Sequence, residues 1–209
     1  KKSKLINGRI NFDFHPMFRM VAENKKEKNT GDLFPPIQSW TKDKVHKFGY
    51  SVSTYPYIKA TLASLGNSNV KNDLKNLACY FSTTTLDHSK GRLIFMKNNT
   101  IPFIYISKRD KEKIKQGFKL LHKILEKGGA SEIWPKSPDK LSPMTTVHLF
   151  SSLPLFKNDH IGHYGELKAD SRIKISDSSI LPVAPWGNPQ AVIMALNLIL
   201  IRKWMNKFE

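Results

Sequence analysis

Alternating apolar and polar positions predict several strands in the first half of the chain. Ile10, Phe12 and Phe14 alternate with polar residues, and this period of two is typical of a half-buried strand. Pro16 is expected to interrupt that strand, and MFRMVAE resumes the pattern. The runs LACYFSTTT, GRLIFMK and IPFIYIS are also strand-like, and the KNN between the last two is typical of a turn. We expect these three runs to form a β-meander.

Two helices are predicted from apolar spacing together with the residues at their ends. The first follows Thr54, a residue type that caps helices, and stops at Gly66. The second follows Ser107 and ends at Gly128 and Gly129. Five apolar positions of the second helix follow helical spacing: Ile114, Phe118, Leu121, Ile124 and Leu125.

The carboxy-terminal part of the chain is predicted to close with a strand and a helix. Residues 171–176 form a short strand pattern, and the last helix runs from Pro189 to about Asn206. The predicted fold class is therefore α+β, with a mainly antiparallel sheet flanked by helices. The closing strand and helix have no obvious partner sheet nearby in the sequence.

Composition and charge narrow the classes of function. The 209 residues are 40% hydrophobic and 24% charged, values that are ordinary for a soluble globular protein. The net charge of +17 comes from basic residues scattered along the whole chain, with acidic residues among them. No RNA-recognition signature, zinc-finger spacing or Gly-rich phosphate loop is present. We therefore interpret the charge as a solvated surface and expect no nucleic-acid partner.

The single cysteine, Cys79, excludes an internal disulfide framework, and no metal site is predicted. The basic start runs into NGRINFDF rather than an apolar stretch, so no signal peptide is predicted. The longest apolar run, 191–201, is about half the length of a membrane span. We expect a cytoplasmic location and no transmembrane segment.

Asn188 and Pro189 stand directly before the last helix. Asn is among the best N-cap residues, and Pro is favoured at the first helical position. A well-capped core helix is one interpretation. The preceding Gly187, however, permits a close backbone approach to a ligand. Upstream, TTVHLFSS carries His148 on an otherwise apolar and hydroxyl-bearing stretch, where a histidine is either a core residue or a functional one.

Together these residues resemble the carboxy-terminal portion of the glucose–methanol–choline (GMC) oxidoreductases, FAD-dependent enzymes that oxidise alcohols. That portion has a catalytic histidine, an acidic-Gly/Ala-Ser stretch after a strand, and Asn-Pro or His-Pro opening the last helix. Here these are His148, ISDSSILP and GNPQAVIMAL. The segment YISKRDKEKIKQGFKLLHKILEKGGA is also similar. FHPMFRMVAENKK and FGYSVSTYPYIKATL show a faint similarity to the long-chain alcohol oxidase branch.

The resemblance implies an alcohol oxidation with two catalytic residues. His148 would accept the hydroxyl proton as general base, and Asn188 would orient the alcohol oxygen. The carbon-bound hydrogen would leave as hydride to flavin N5. The two side chains are expected to converge on one cleft. His15, His160 and His163 are assigned to the surface or to structural roles.

The resemblance also implies a set of FAD contacts. Asp177 and Ser178 would lie beside the ribityl–phosphate portion, and Gln190 would lie near the ring. The Asn188–Pro189 turn would face the N1 and C2 carbonyl edge of the isoalloxazine, where the positive end of the helix stabilises negative charge.

Two features depart from the family pattern. Ser151 stands where members often have a glycine after the catalytic histidine, and no G-x-G-x-x-G fingerprint occurs. We therefore expect the chain to be the second half of such an enzyme and inactive alone. Residues 1–145 would form the substrate domain, with partial FAD-domain contacts at the start, and 146–209 the carboxy-terminal segment with the catalytic histidine.

The expected partners are an alcohol substrate and the amino-terminal FAD-binding half of the same protein. The closing strand and helix would complete the Rossmann-like domain of that missing half. Without it, an apolar patch around Val192, Leu196 and Ile199 is expected to be exposed. A non-catalytic fragment or binding module is the alternative, and a basic nucleic-acid-associated protein a more distant one.

Overall fold

A computed structural model describes residues 9–26, 29–31, 37–96, 99–146 and 148–206 of the chain. Its helices and strands follow one another in this order: β1 (Arg9–Phe14), β2 (Met17–Glu23), β3 (Gln38–Trp40), β4 (His46–Tyr50), α1 (Tyr55–Ser64), β5 (Leu77–Thr84), β6 (Lys90–Phe95), β7 (Thr100–Tyr105), α2 (Lys108–Lys127), β8 (Glu132–Trp134), β9 (Leu149–Phe150), β10 (Glu166–Leu167), β11 (Asp170–Lys174) and α3 (Gln190–Met205). Short 3-10 turns occupy Leu74–Asn76 and Ser178–Ile180.

The chain divides into two compact units. The first draws its described residues from Lys1–His15, His88–Ser107 and Val147–Glu209, and the second from Pro16–Asp87 and Lys108–Thr146. Every strand pairing among the described residues is antiparallel. The α+β class with mainly antiparallel sheets is therefore confirmed. The functional boundary between residues 145 and 146 stays a prediction.

The second unit is a five-stranded sheet in the order β3-β4-β5-β2-β8, with a helix on each face. Successive side chains of a strand point to opposite faces. On one face, Val21 and Cys79 pack with Ile58 and Leu62 of α1. On the other face, Phe18 meets Phe118 of α2 edge to face, with the ring centroids 6.2 Å apart. The sheet is therefore buried on both sides across its central strands.

Both predicted helix stops in this unit are confirmed, and they share one mechanism. Gly66 has φ +76° and Gly129 has φ +85°, conformations that glycine adopts at no steric cost. The Gly66 N–H donates to the Ala63 carbonyl, and the Gly129 N–H donates to the Glu126 carbonyl. The next residue in each case donates to the carbonyl five positions back, which completes a Schellman motif.

One side chain of α2 departs from its predicted position. Four of the five apolar positions are buried, but Ile124 is 44% exposed. The buried face of α2 is therefore narrower than the spacing of its apolar residues predicted.

The first unit is built on a four-stranded sheet in the order β7-β6-β1-β9. β1 pairs with β6 through its first residues and with β9 through Asp13 and Phe14. Gly91 of β6 makes room for the Phe12 ring, because a Cβ there would lie 2.0 Å from a ring carbon. A separate cluster of Leu155, Ile161, Ile180 and Leu200 holds α3 against the segments that precede it.

Two strand predictions are corrected by the pairing. The β6–β7 hairpin is present, but β5 pairs with β2 and β4 in the other sheet, so no three-stranded meander forms. The predicted turn between β6 and β7 falls largely on residues 97–98, outside the described part of the chain. The strand predicted at 171–176 runs instead over Asp170–Lys174, and β10 supplies the local partner that the sequence did not reveal.

Candidate functional site

His148 is held beside β9 in the first unit. β9 pairs with β1 through Leu149 and Phe14, which places His15 opposite His148. The His15 N–H donates to the His148 carbonyl at 3.3 Å. The two imidazole rings meet edge to face with centroids 5.6 Å apart, and both contact Phe150. The half-buried His148 ring is thus positioned by an aromatic contact and a backbone pairing.

The structure places His15 beside His148, a contact that no sequence motif predicted. Its ring contacts His148 and lies 4.7 Å from Phe150, centroid to centroid, which is compatible with the structural role expected for it. The two histidines are 133 positions apart in the printed sequence, and no local pattern links them. Only the pairing of β1 with β9 brings them together.

The segment after His148 is hydrogen-bonded to the turn that carries Asp177 and Ser178. Ser178 Oγ donates to the Leu149 carbonyl at 2.6 Å. In return, the Ser151 N–H donates to the Ser178 carbonyl at 3.2 Å. The fold therefore brings the predicted catalytic segment and part of the predicted FAD-binding segment into direct contact, although some 30 residues separate them.

Asp177 has a structural task of its own in this turn. Its Oδ1 accepts a hydrogen bond from the Ser179 N–H at 2.8 Å and caps the 3-10 turn Ser178–Ile180. The residue is exposed, and the carboxylate keeps further lone pairs for another donor. Capping and ligand contact are therefore compatible at this position.

Ser151 adopts an unusual backbone conformation. Its φ is +59°, in the left-handed region that costs a residue with a Cβ about 1 to 2 kcal/mol. Its Oγ is buried and has no hydrogen-bond partner among the described residues. Glycine avoids both costs, which gives a physical reason for the glycine that GMC members often carry here.

Asn188 caps α3 as its residue type predicts. Pro189 has helical dihedral angles, and its carbonyl accepts the first intrahelical bond, from the Ile193 N–H at 2.9 Å. Asn188 Oδ1 accepts from the Gln190 N–H at 3.1 Å, which fixes the orientation of the amide. The Asn188 Nδ2 group makes no hydrogen bond within the described part of the chain. Its two N–H donors therefore remain available to a ligand.

The amino-terminal turn of α3 suits an electron-rich ligand. The amide N–H groups of Ala191 and Val192 precede the first intrahelical bond, and both residues are exposed. A Cβ placed on Gly187 would meet nothing within 4 Å, so the backbone there is open to close approach. Pro189 is buried, while Asn188 and Gln190 are exposed. These donors and the positive end of the helix fit the N1 and C2 carbonyl edge of a flavin.

The apolar surface of α3 is largely exposed. Val192 is 46% exposed and Ile199 is 54% exposed, as expected from the sequence. Leu196, by contrast, packs against the Leu155, Ile161, Ile180 and Leu200 cluster, so it is not part of the exposed patch. Met194, Leu198 and Ile201 extend that patch instead.

Other candidate features do not join this site. His163 contacts Phe156, with ring centroids 5.9 Å apart, and the His160 backbone bonds to Asn158 and Lys168. In the described part of the chain, no cluster of three or more His, Cys, Asp or Glu residues could hold a metal ion. Among the same residues, no helix is both long and apolar enough to cross a membrane.

One curated protein and one solved structure show what this chain is similar to. An alignment of 64 positions, which covers 28% of this chain and 12% of the relative, is 36% identical to an uncharacterized GMC-type oxidoreductase of Sinorhizobium fredii. The fold matches the crystal structure of pyridoxine 4-oxidase from Mesorbium loti, a GMC family member, with a TM-score of 0.65 at 15% identity. That match covers 95% of this chain and 43% of the pyridoxine 4-oxidase chain. No protein-family model matches.

The chain is therefore similar to GMC oxidoreductases in both sequence and fold, and the resemblance predicted from its motifs is confirmed. The chain spans 12% of the curated relative and 43% of the structural neighbour, so their activity enters below as a proposal. The similarity to the long-chain alcohol oxidase branch and the roles of individual residues stay predictions.

Proposed function

We propose that this chain forms part of an FAD-dependent oxidoreductase that oxidises an alcohol to an aldehyde or ketone. One observation carries the proposal: the segment that begins at His148 is hydrogen-bonded to the turn that holds Asp177 and Ser178. The residues that resemble the catalytic and cofactor-binding motifs of the GMC family thus share one local structure in the first unit.

In the proposed reaction, His148 accepts the proton of the substrate hydroxyl at an imidazole nitrogen. Imidazole is the side chain whose ordinary pKa lies nearest neutrality. A general base is most effective when its pKa is close to the working pH, so imidazole is well suited to accept the hydroxyl proton. The edge-to-face contact with His15 limits rotation of the ring. FAD, when bound, supplies the acceptor for the hydride that leaves the carbinol carbon.

Asn188 orients the alcohol oxygen in this proposal. Because Oδ1 is engaged with the Gln190 N–H, the amide can offer only its Nδ2 donors to a ligand. A donated hydrogen bond strengthens as negative charge grows on the alcohol oxygen during proton removal. The exposed amide groups at the start of α3 would stabilise negative charge on the flavin, with Gln190 beside the ring and Asp177 and Ser178 along the ribityl–phosphate portion.

We also propose that the amino-terminal FAD-binding half of the enzyme is the partner of this chain. The exposed Val192 and Ile199 would pack on that half, and the closing strand and helix would complete its Rossmann-like domain. The chain spans 43% of the structural neighbour it matches, and that share supports the proposal. The 209-residue chain alone is expected to lack flavin absorbance and alcohol oxidation. Yellow, active protein from this chain alone would contradict this proposal.

The catalytic roles are tested in the holoprotein by following alcohol-dependent flavin reduction. His148→Asn is expected to slow reduction by about 10²- to 10⁴-fold, the usual contribution of a general base. His163→Asn is the matched control, since His163 contacts Phe156 rather than this site. Flavin reduction at the wild-type rate in His148→Asn would refute the role of base.

A pair of variants separates the two tasks of Asn188. Asn188→Asp keeps an oxygen that can cap α3 but removes the Nδ2 donors, whereas Asn188→Ala removes both. Asn188→Asp is expected to keep wild-type stability and lose most of the reduction rate. If it reduces flavin as fast as wild type, Asn188 acts only as a helix cap.

A further inference from the structure

A buried lysine in the second unit has no acidic partner. Lys47 lies on β4 with only 7% of its surface exposed, and none of the ion pairs among the described residues includes it. Its ammonium lies 5.8 Å from the Phe81 ring and 6.0 Å from the Trp40 ring, at the outer limit of a cation–π contact. Burial lowers the pKa of Lys47, with no carboxylate to oppose the shift.

An unsatisfied hydroxyl lies directly beside this lysine. Lys47 of β4 and Thr83 of β5 are cross-strand partners, which places their Cβ atoms about 5 Å apart on one face of the sheet. Thr83 is 8% exposed, and its Oγ1 is buried without a hydrogen-bond partner among the described residues. Buried polar groups are nearly always hydrogen-bonded, so the unsatisfied Thr83 hydroxyl beside a lysine without an ion pair indicates a ligand that would supply the missing acceptor.

Arg19 adds a second cation to the same face of the sheet. Met17 is the cross-strand partner of Thr83, so Arg19 is its diagonal neighbour. Arg19 Nη1 donates to Thr145 Oγ1 at 2.7 Å, while its buried Nε has no partner among the described residues. Two rows of cross-strand partners on β3, β4, β5 and β2 form this part of the face, and neither row contains an acidic residue. They are Trp40, Lys47, Thr83 and Met17, and Gln38, Gly49, Phe81 and Arg19.

We infer that Lys47 and Thr83, with Arg19 beside them, form a binding site for an organic carboxylate. A carboxylate has two oxygens that accept hydrogen bonds, and it would supply the missing counter-charge of the ammonium and an acceptor for the hydroxyl. The Phe81 and Trp40 rings that flank the ammonium favour a carboxylate on an aromatic or other planar apolar group. Trp40 is 43% exposed on the edge strand β3, so a ligand can enter from that edge.

The site is tested by direct binding of benzoate to the purified protein, measured by calorimetry or ligand-observed NMR. Benzamide is the neutral probe of nearly the same shape, and inorganic phosphate is the competing anion. Wild-type protein is expected to bind benzoate at least tenfold more tightly than either. Lys47→Gln is expected to weaken benzoate binding by about ten- to hundredfold, the effect of losing a charge-assisted hydrogen bond. Thr83→Val is expected to weaken it by about three- to tenfold.

Lys59→Gln is the matched control, because it removes one positive charge from an exposed position on α1 in the same unit. Its benzoate affinity is expected to equal that of wild type. Equal loss in Lys59→Gln and Lys47→Gln would overturn the site, as would equal binding of benzoate and benzamide. Preferential binding of phosphate overturns the assignment to a carboxylate.

If Lys47→Gln fails to fold, the two wild-type probes and Thr83→Val still decide the question. The measurement requires neither flavin nor turnover. A negative result therefore leaves the proposed alcohol oxidation untouched, and a positive one does not depend on it.

Discussion

Replacing Ser151 by glycine is expected to stabilise the protein, because the serine carries two separate costs. Its φ of +59° lies in the left-handed region, where a residue with a Cβ loses about 1 to 2 kcal/mol. Its buried Oγ lacks a partner among the described residues, which costs about 1 to 3 kcal/mol in lost hydration. Glycine removes both costs but adds about 0.5 to 1 kcal/mol of unfolded-state entropy.

The net gain expected for Ser151→Gly is about 1 to 4.5 kcal/mol in the free energy of unfolding. For a chain of this size, each 1 kcal/mol raises Tm by about 2 to 4 °C. Ser151→Ala removes the hydroxyl but keeps a Cβ at positive φ, so its gain is expected to be smaller than that of glycine. The difference between the two variants measures the backbone cost less the unfolded-state entropy that glycine adds.

Urea unfolding followed by circular dichroism provides the measurement, with the m-value checked for constancy. Ser68→Gly is the control, since Ser68 is exposed and is not among the residues with positive φ. That variant is expected to lose stability by up to about 1 kcal/mol. A Ser151→Gly protein less stable than wild type would refute the reasoning, because neither the backbone nor the hydroxyl would then be a cost.

Three further predictions concern the second unit. Gly117→Ala is expected to destabilise the protein by about 1 to 3 kcal/mol despite the higher helix propensity of alanine, because the new Cβ would lie 2.6 Å from His46 Nδ1. Replacement of the exposed Gln116 by alanine serves as the control, and a Gly117→Ala protein more stable than wild type would contradict the packing. Burial raises the pKa of Cys79 to about 11, so iodoacetamide at pH 8 should label the thiol only after urea is added, and rapid labelling of native protein would disprove this. Burial lowers the pKa of His46, so the unfolded state binds the proton first, and stability should fall as the pH drops from about 6.5 towards that lowered pKa. His46→Asn should flatten this slope between pH 7 and 5, and an unchanged slope would refute the assignment.

Local features of this chain were determined by the sequence itself. Gly66 and Gly129 end their helices because only glycine enters the left-handed region without steric cost. Asn188 caps α3 because its short side chain reaches the N–H two residues on. The β6–β7 hairpin likewise joins two strands that are adjacent in sequence. Each of these depends on residues within a few positions of one another, and the motif order around His148 and Asn188 gave the family resemblance in the same way.

Strand partners were decided only by the tertiary structure. Alternation shows which residues of a strand share a face, but it does not show which strand lies beside it. That is why β5 and β6, neighbours in sequence, belong to different sheets, and why β11 pairs with the unpredicted β10. The same non-local pairing set His15 against His148 and Lys47 beside Thr83. The His148 site and the Lys47 site both depend on hydrogen bonds between strands that are distant in sequence. The spacing of residues within one strand does not determine which of those bonds form.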